Sequence, residues 1–402
     1  MALSAGSPPV ASTSEAFFGK LYESKDGERI RRCLQCGDCS GVCPYGYLME
    51  FPPSRMITRL RADEFDEVLA SDAIWLCLSC YACTQVCPKQ IPLTTSLMTR
   101  AKEELLLAGR VPAELQAALE NSQRYGNVLG RSPRKRSEWA KGLTPPVPVL
   151  SKEHPSTEVL WFVGDYPSYH ARVQGVSRAL AKIFHALGVD YAILGADEVS
   201  DGDSQRLAGE RGLFEMLASK NSQAFGKYKF FAIVTSDPHA YNAFKNEYPG
   251  LGISYPVWHH TEFLADHLDA LRPLLTREVK ARVAFHDPCY LGRANGIYEP
   301  PRELLGAIPG IELVEMAHNR TMSLCCGGGG GGMWLDGFHW EKAHTRTSEW
   351  RVQEARTAGA DILAVACPYE PVRFEDAAKV VPGAEGLLVR DVAELLAEAL
   401  GE

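Results

Sequence analysis

Cys33-Leu34-Gln35-Cys36-Gly37-Asp38-Cys39-Ser40-Gly41-Val42-Cys43-Pro44 is one of two matching stretches, the other being Cys77-Leu78-Ser79-Cys80-Tyr81-Ala82-Cys83-Thr84-Gln85-Val86-Cys87-Pro88. Both read Cys-x-x-Cys-x-x-Cys-x-x-x-Cys-Pro, and Cys77 lies 44 residues after Cys33 as Cys87 lies 44 after Cys43. Thiolates two residues apart on a tight loop can each reach a different iron of one cubane. The cysteine before proline leaves the loop and is free to serve elsewhere.

This is the spacing of a two-cluster bacterial ferredoxin, in which the fourth cysteine ligates the other cluster. The expected sets are therefore Cys33, Cys36, Cys39 and Cys87 on one [4Fe–4S] cluster, and Cys77, Cys80, Cys83 and Cys43 on the other. Zinc takes separated Cys-x-x-Cys pairs and not four cysteines in eleven residues. A disulfide framework does not suit a chain of this size without an export signal. Electrons should pass through such a protein one at a time.

The chain has 402 residues, enough for two or three domains, and a formal net charge of −8. That balance gives no broad basic face for nucleic acid. No apolar run approaches twenty residues, so no membrane span is expected. Residues 1–15 lack a basic start and an apolar core, and Pro8-Pro9 interrupts them. We expect a disordered tail over 1–21, no signal peptide, and a cytoplasmic location, with any membrane association made through partners.

The twelve cysteines fall in two groups. Eight lie between 33 and 87, the others are Cys289, Cys325, Cys326 and Cys367, and none lies between 88 and 288. A helical ferredoxin domain is expected over 22–125, with helices at 54–61, 65–70 and 97–107 from their three- and four-residue apolar spacing. Residues 126–155 carry Arg131, Arg134, Lys135, Arg136 and Lys141, then Pro145-Pro146-Val147-Pro148. We read them as a solvated connector stiffened by proline.

From residue 156 strand and helix alternate, which implies parallel sheets covered on both faces. Strands are expected at 158–163, 191–194, 229–234, 282–285, 311–314 and 362–365, with a helix over 170–187. Two halves, 156–280 and 281–402, match each other. Phe162-Val163-Gly164-Asp165 parallels Phe285-His286-Asp287-Pro288-Cys289, and Thr235-Ser236-Asp237 parallels Ala366-Cys367. Asp165 falls near the Cys289 position, Asp237 on Cys367 and Ala240 on Glu370. Cys289 and Cys367 both follow strands, where ligands collect in such sheets. Cys325-Cys326 precede six glycines, Gly327–Gly332. Adjacent thiols can face one cluster only if the backbone turns sharply, and glycine permits that and lets N–H groups aim at sulfur.

His-Asp-Pro-Cys at 286–289, Cys-Cys-Gly at 325–327 and Cys-Pro at 367–368 resemble the cysteine-rich CCG domain. The chain from 22 onward resembles the heterodisulfide reductase-like, CCG-domain family of iron–sulfur oxidoreductases. The resemblance implies an α+α/β fold: a helical two-cluster ferredoxin domain, then a duplicated α/β CCG-type domain whose first repeat lacks cysteines. It also implies a third cluster on Cys289, Cys325, Cys326 and Cys367. The family's motif ends in Cys-x-x-Cys, whereas here it reads Cys367-Pro368-Tyr369-Glu370. Four thiolates suffice for a cubane. Whether the third cluster is cubane, and whether Glu370 is a ligand or a solvated carboxylate, stay open at this stage. His286 and His318 accompany the third site, and His170 and His239 the cysteine-less half.

Two functions fit. The first is an electron-transfer subunit between a flavoprotein or other redox subunit and a quinone-side or ferredoxin partner. The second is a disulfide or sulfur-compound reductase with the CCG cluster as active site. Loss of one site and of the fifth thiolate favours the first.

Overall fold

The computed structural model describes residues 19, 21 and 25–401. All but two residues of the tail expected over 1–21 therefore lie outside the described residues. The chain divides into two compact units, Met1–Val111 and Pro112–Glu402.

The first unit is helical. Helices α1 (Pro53–Arg61), α2 (Phe65–Ala70) and α3 (Thr99–Leu107) stand where the apolar spacing put them. Pro53 opens α1 at the one helical position where the missing N–H costs nothing. Met56, Ile57 and Leu60 form its buried stripe. Wide turns over Leu93–Met98 lead into α3, and Leu97, Ala101 and Leu105 face inward there.

The second unit begins earlier than the sequence indicates. Helix α4 (Ala113–Tyr125), in a stretch assigned by sequence to the ferredoxin domain but not read as a helix, belongs to it. The stretch after it keeps Arg131, Arg134, Lys135 and Lys141 exposed, but it is anchored by two buried side chains. Trp139 is buried and meets Trp161 edge-on at 5.2 Å. Arg136 is buried between two carboxylates of the same unit. Proline and basic residues mark a linker by composition, but these two side chains find partners far along the chain.

Two four-stranded parallel sheets follow, of identical topology. The first half runs β1 (Val159–Phe162), α5 (Gln174–Ala186), β2 (Tyr191–Ala192), α6 (Arg211–Phe225), β3 (Ala232–Thr235), β4 (Val257–His259) and α7 (His260–Asp266). The second runs β5 (Ala281–Phe285), α8 (Glu299–Ala307), β6 (Ile311–Val314), α9 (Thr347–Thr357), β7 (Ile362–Val365), α10 (Glu370–Val380), β8 (Leu388–Asp391) and α11 (Val392–Ala399). The strand orders are β2-β1-β3-β4 and β6-β5-β7-β8. Phe162 pairs with Thr235 in one sheet, and Phe285 with Ala364 in the other.

Strand alternation distributes the core. Trp161 and Val234 enter a cluster that also holds Phe285, Ile362 and Ala364 of the other half. Leu160, Phe162 and Ile233 point to a second cluster with Phe225 and Phe244. Leu363 and Val365 point to a third with Phe374. Each sheet is thus buried on both faces, which is why its central strands read as unbroken apolar runs. Helix α5 packs on α11, and α7 on α8, a reciprocal pattern that relates the halves by a pseudo-two-fold axis. Strands β4 and β8 are not expected from the sequence. Both are edge strands, with Pro256 before β4 and Arg390 inside β8, so neither shows a buried run.

Candidate metal centres

The two cysteine runs fold into the same loop. Gln35 and Ser79, two residues after each first cysteine, have φ of 57° and 52°, and Gly37 and Tyr81 after each second cysteine have 89° and 62°. Only Gly37 takes that conformation without steric cost. Three residues with side chains adopt it because the turn it makes brings the sulfurs inward. Each run then supplies three cysteines to one cavity and its fourth to the other. Cys33, Cys36, Cys39 and Cys87 line one cavity, floored by Ile57 and Leu93. Cys43, Cys77, Cys80 and Cys83 line the second, among Met56, Leu76 and Leu97.

The donor sets fit iron–sulfur clusters on electrostatic grounds. Burial pushes the Cys39 thiol up to about 11, with Cys33, Cys87 and Cys36 adding repulsion. Cys43 is held well above the usual thiol range by burial, then by Cys80, Cys77 and Cys83. Four thiolates so placed repel each other and need a cation among them to be stable. Backbone and side-chain amides of Gln35 donate to Cys33 Sγ at 3.4 and 3.3 Å.

Lys102 is a residue that the cysteine spacing does not reveal. It is fully buried on α3 and donates from Nζ to the Cys77 carbonyl at 3.1 Å. Burial lowers its pKa, against the pull of Cys77. Its sequence signal is a lysine between Ala101 and Leu105 on the apolar stripe of a helix.

In the second unit Cys289 lies four residues past the end of β5 and Cys367 two past the end of β7. Those strands are hydrogen-bonded neighbours, so both loops leave one sheet edge side by side. Cys325 and Cys326 are buried, and the amides of Gly327 and Gly328 donate to their sulfurs at 3.2 and 3.4 Å. The glycine run thus aims N–H groups at sulfur as expected. Gly327 has φ +85°, and a Cβ there would stand 2.6 Å from Thr347 Oγ1. Arg373 Nε donates to the Cys326 carbonyl at 3.0 Å and fixes the loop from outside. Hydrogen bonding from Cys325 holds Cys326 well below the usual thiol range despite burial, and His286 adds to it. Cys367 is held well above that range by burial, then by Glu370, Asp237 and Cys326.

Glu370 is not solvated. It is 1% exposed, it opens α10, and its Oε1 lies 3.2 Å from His286 Nε2. Arg351, also buried, donates from Nε to His286 Nδ1 at 2.9 Å. Burial works against a proton on His286, whereas Glu370 and Cys326 beside Nε2 draw one to it. The Arg351 N–H aimed at Nδ1 leaves that nitrogen no room for a proton. We therefore assign the neutral tautomer with its proton on Nε2. Burial likewise pushes Glu370 up to about 7, against the pull of His286.

The cysteine-less half has no thiolates at the matching edge, and its place is filled by a charged network. Arg136 bridges Asp165 at 2.7 Å and Glu198 at 2.8 Å. Glu198 also accepts from the amides of Val163 and Gly164 at 3.0 and 2.8 Å. Asp237 caps the turn after β3 through the His239 amide at 2.8 Å, and the His239 ring meets Asp203 at 3.0 Å. Glu198 and Asp203 carry no motif in the sequence because their partners are distant along it. Of the four histidines singled out in the sequence, His239 and His286 are buried. His318 is half exposed and paired with Glu354, and His170 is partly exposed.

Residues 22–91 match the 4Fe-4S dicluster domain, and residues 159–245 and 283–369 match the cysteine-rich CCG domain. The chain is 36% identical over 340 residues to the probable iron-sulfur-binding oxidoreductase FadF of Bacillus subtilis, covering 83% of this chain and 47% of that one. It is 31% identical over 343 residues to the EtfAB:quinone oxidoreductase of Syntrophomonas wolfei, again 83% of this chain and 47% of that one. It is 28% identical over 401 residues to a subunit of the dihydromethanophenazine:CoB--CoM heterodisulfide reductase of Methanosarcina barkeri, 92% of this chain and 93% of that one. The chain spans about half the length of the first two relatives.

Proposed function

We propose that this chain, a member of the CCG-domain iron–sulfur proteins with a 4Fe-4S dicluster domain and two CCG repeats, similar to a heterodisulfide reductase subunit along most of its length, is the electron-transfer component of a larger oxidoreductase. Cys33, Cys36, Cys39 and Cys87 hold one [4Fe–4S] cluster, and Cys77, Cys80, Cys83 and Cys43 hold another. Cys289, Cys325, Cys326 and Cys367 hold a third iron–sulfur cluster at the carboxyl edge of β5 and β7. Each cluster takes up and returns one electron at a time. The protein's part is to exclude water, fix the thiolates and set the charge around them. The observation that carries this reading is the exchange of the fourth cysteine between two cavities, an arrangement suited to two adjacent clusters.

The partners we infer are a flavoprotein on one side and a quinone-side subunit on the other. The name of the EtfAB:quinone oxidoreductase supports that pairing. Among the described residues no helix is long and apolar enough to cross a membrane.

Disulfide reduction is the weaker reading. It takes two electrons, and the second site that would share them is occupied by the Arg136, Asp165 and Glu198 network. The test is anaerobic purification with iron and sulfide assay, followed by a reductive titration monitored by electron paramagnetic resonance. Three clusters give about twelve irons per chain at four each. About eight would mean that the CCG site is empty. Dithionite-reduced viologen should drive no rapid turnover of small disulfides by this chain, and rapid turnover abolished by Cys326→Ala would make the CCG site an active site.

A further inference from the structure

We propose that Glu370 supplies an oxygen ligand to an iron of the cluster held by Cys289, Cys325, Cys326 and Cys367, with His286 and Arg351 as positioning residues. This deepens the proposed function and rests on it.

Three observations converge. First, ligand atoms of His286, Cys326 and Glu370 lie within 4.8 Å of one another, all buried. Second, only one carboxylate oxygen is used. Oε1 faces His286 Nε2, whereas Oε2 is buried and makes no hydrogen bond among the described residues. A buried, unpartnered carboxylate oxygen carries the full desolvation cost of that atom, and a cation beside it removes that cost. Third, the imidazole is not available as the ligand in its place. Its Nδ1 accepts from Arg351 Nε and its Nε2–H is directed at Glu370. The histidine therefore orients the carboxylate, as outer partners of metal ligands generally do.

Sequence and backbone place Glu370 to reach the site. It is three residues after Cys367 and is the first residue of α10. Side chains on a helix lean toward its N-terminus, here toward the loop that carries Cys367. Iron accepts carboxylate oxygen as well as sulfur. One iron would then differ from the rest in ligand, charge and lability.

The test uses the whole protein grown with glutamate labelled with ¹³C at the side-chain carboxyl carbon. The third cluster's paramagnetic signal is identified by its loss in Cys325→Ala. Electron–nuclear double resonance on that signal should show a ¹³C coupling, which disappears in Glu370→Gln while the signal itself persists. Glu370→Cys should keep the cluster, abolish the ¹³C coupling and shift the signal's g values. A third-cluster signal with no ¹³C coupling in the unsubstituted protein would overturn the proposal and leave the electron-transfer reading standing. Iron near eight per chain with no third signal would instead sink the cluster assignment, and this proposal with it.

Discussion

Asp237 stands in the first sheet where Cys367 stands in the second: each follows the end of its strand, β3 or β7, by two residues. The pseudo-two-fold fold thus repeats, but the chemistry at its two edges does not. One edge offers sulfur. The other offers carboxylates already matched to Arg136 and His239. A thiolate pair left in the first edge would have needed iron; the carboxylates need only the cations that the chain brings.

Arg136 should be the most costly single loss outside the thiolates. Arg136→Met leaves Asp165 and Glu198 buried without their common partner. Breaking a buried pair in this way costs about 3–5 kcal/mol. Denaturant unfolding of the second unit should show a loss of that size, while the signals of the two ferredoxin clusters stay unchanged. A loss below about 1 kcal/mol, the range of surface pairs, would mean that the network is dispensable.

Lys102 should set one ferredoxin cluster apart from the other. Adding an electron adds negative charge, which a buried ammonium nearby favours. Lys102→Met should therefore lower the midpoint potential of the cluster on Cys43, Cys77, Cys80 and Cys83. An interaction on the order of 1–2 kcal/mol corresponds to roughly 40–90 mV for one electron. A potentiometric titration in which both clusters move equally, or neither moves, contradicts this placement.

The exchange of cysteines between cavities is directly testable. Cys43→Ala and Cys77→Ala should perturb the same cluster signal, although they lie in different runs, and Cys87→Ala should perturb the other together with Cys33→Ala. If Cys43→Ala and Cys33→Ala affect one signal alike, each run holds its own cluster.

Gly327→Ala should empty the third site alone. A Cβ at φ +85° would press on Thr347 and Arg373 and move the loop that aims two amides at Cys325 and Cys326. Iron should fall from about twelve to about eight per chain. A full complement of iron with an unaltered third signal would show that the loop tolerates the side chain.

What the sequence determined by itself was whatever depends on spacing. Cys-x-x-Cys-x-x-Cys-x-x-x-Cys-Pro specifies a loop because the sulfurs must converge within a few residues. The apolar runs read at 158–163, 229–234 and 362–365 specify buried parallel strands because both faces are covered, although the third strand forms at Ala232–Thr235. Even the sulfur-directed amides after Cys326 were legible, since six glycines in a row have few other uses beside paired thiols. The tertiary structure decided whatever depends on partners distant in the chain. Arg136 reads as one more basic residue of a linker until Asp165 and Glu198 fold against it. Lys102 is only a lysine on the apolar stripe of a helix until α3 brings it to the Cys77 carbonyl. Glu370 reads equally well as a ligand or a solvated carboxylate. The fold removes the second option by burying it against His286, itself held by Arg351. A charge in water needs no particular neighbour, whereas a buried one must be matched, and only the folded chain determines which residue does the matching.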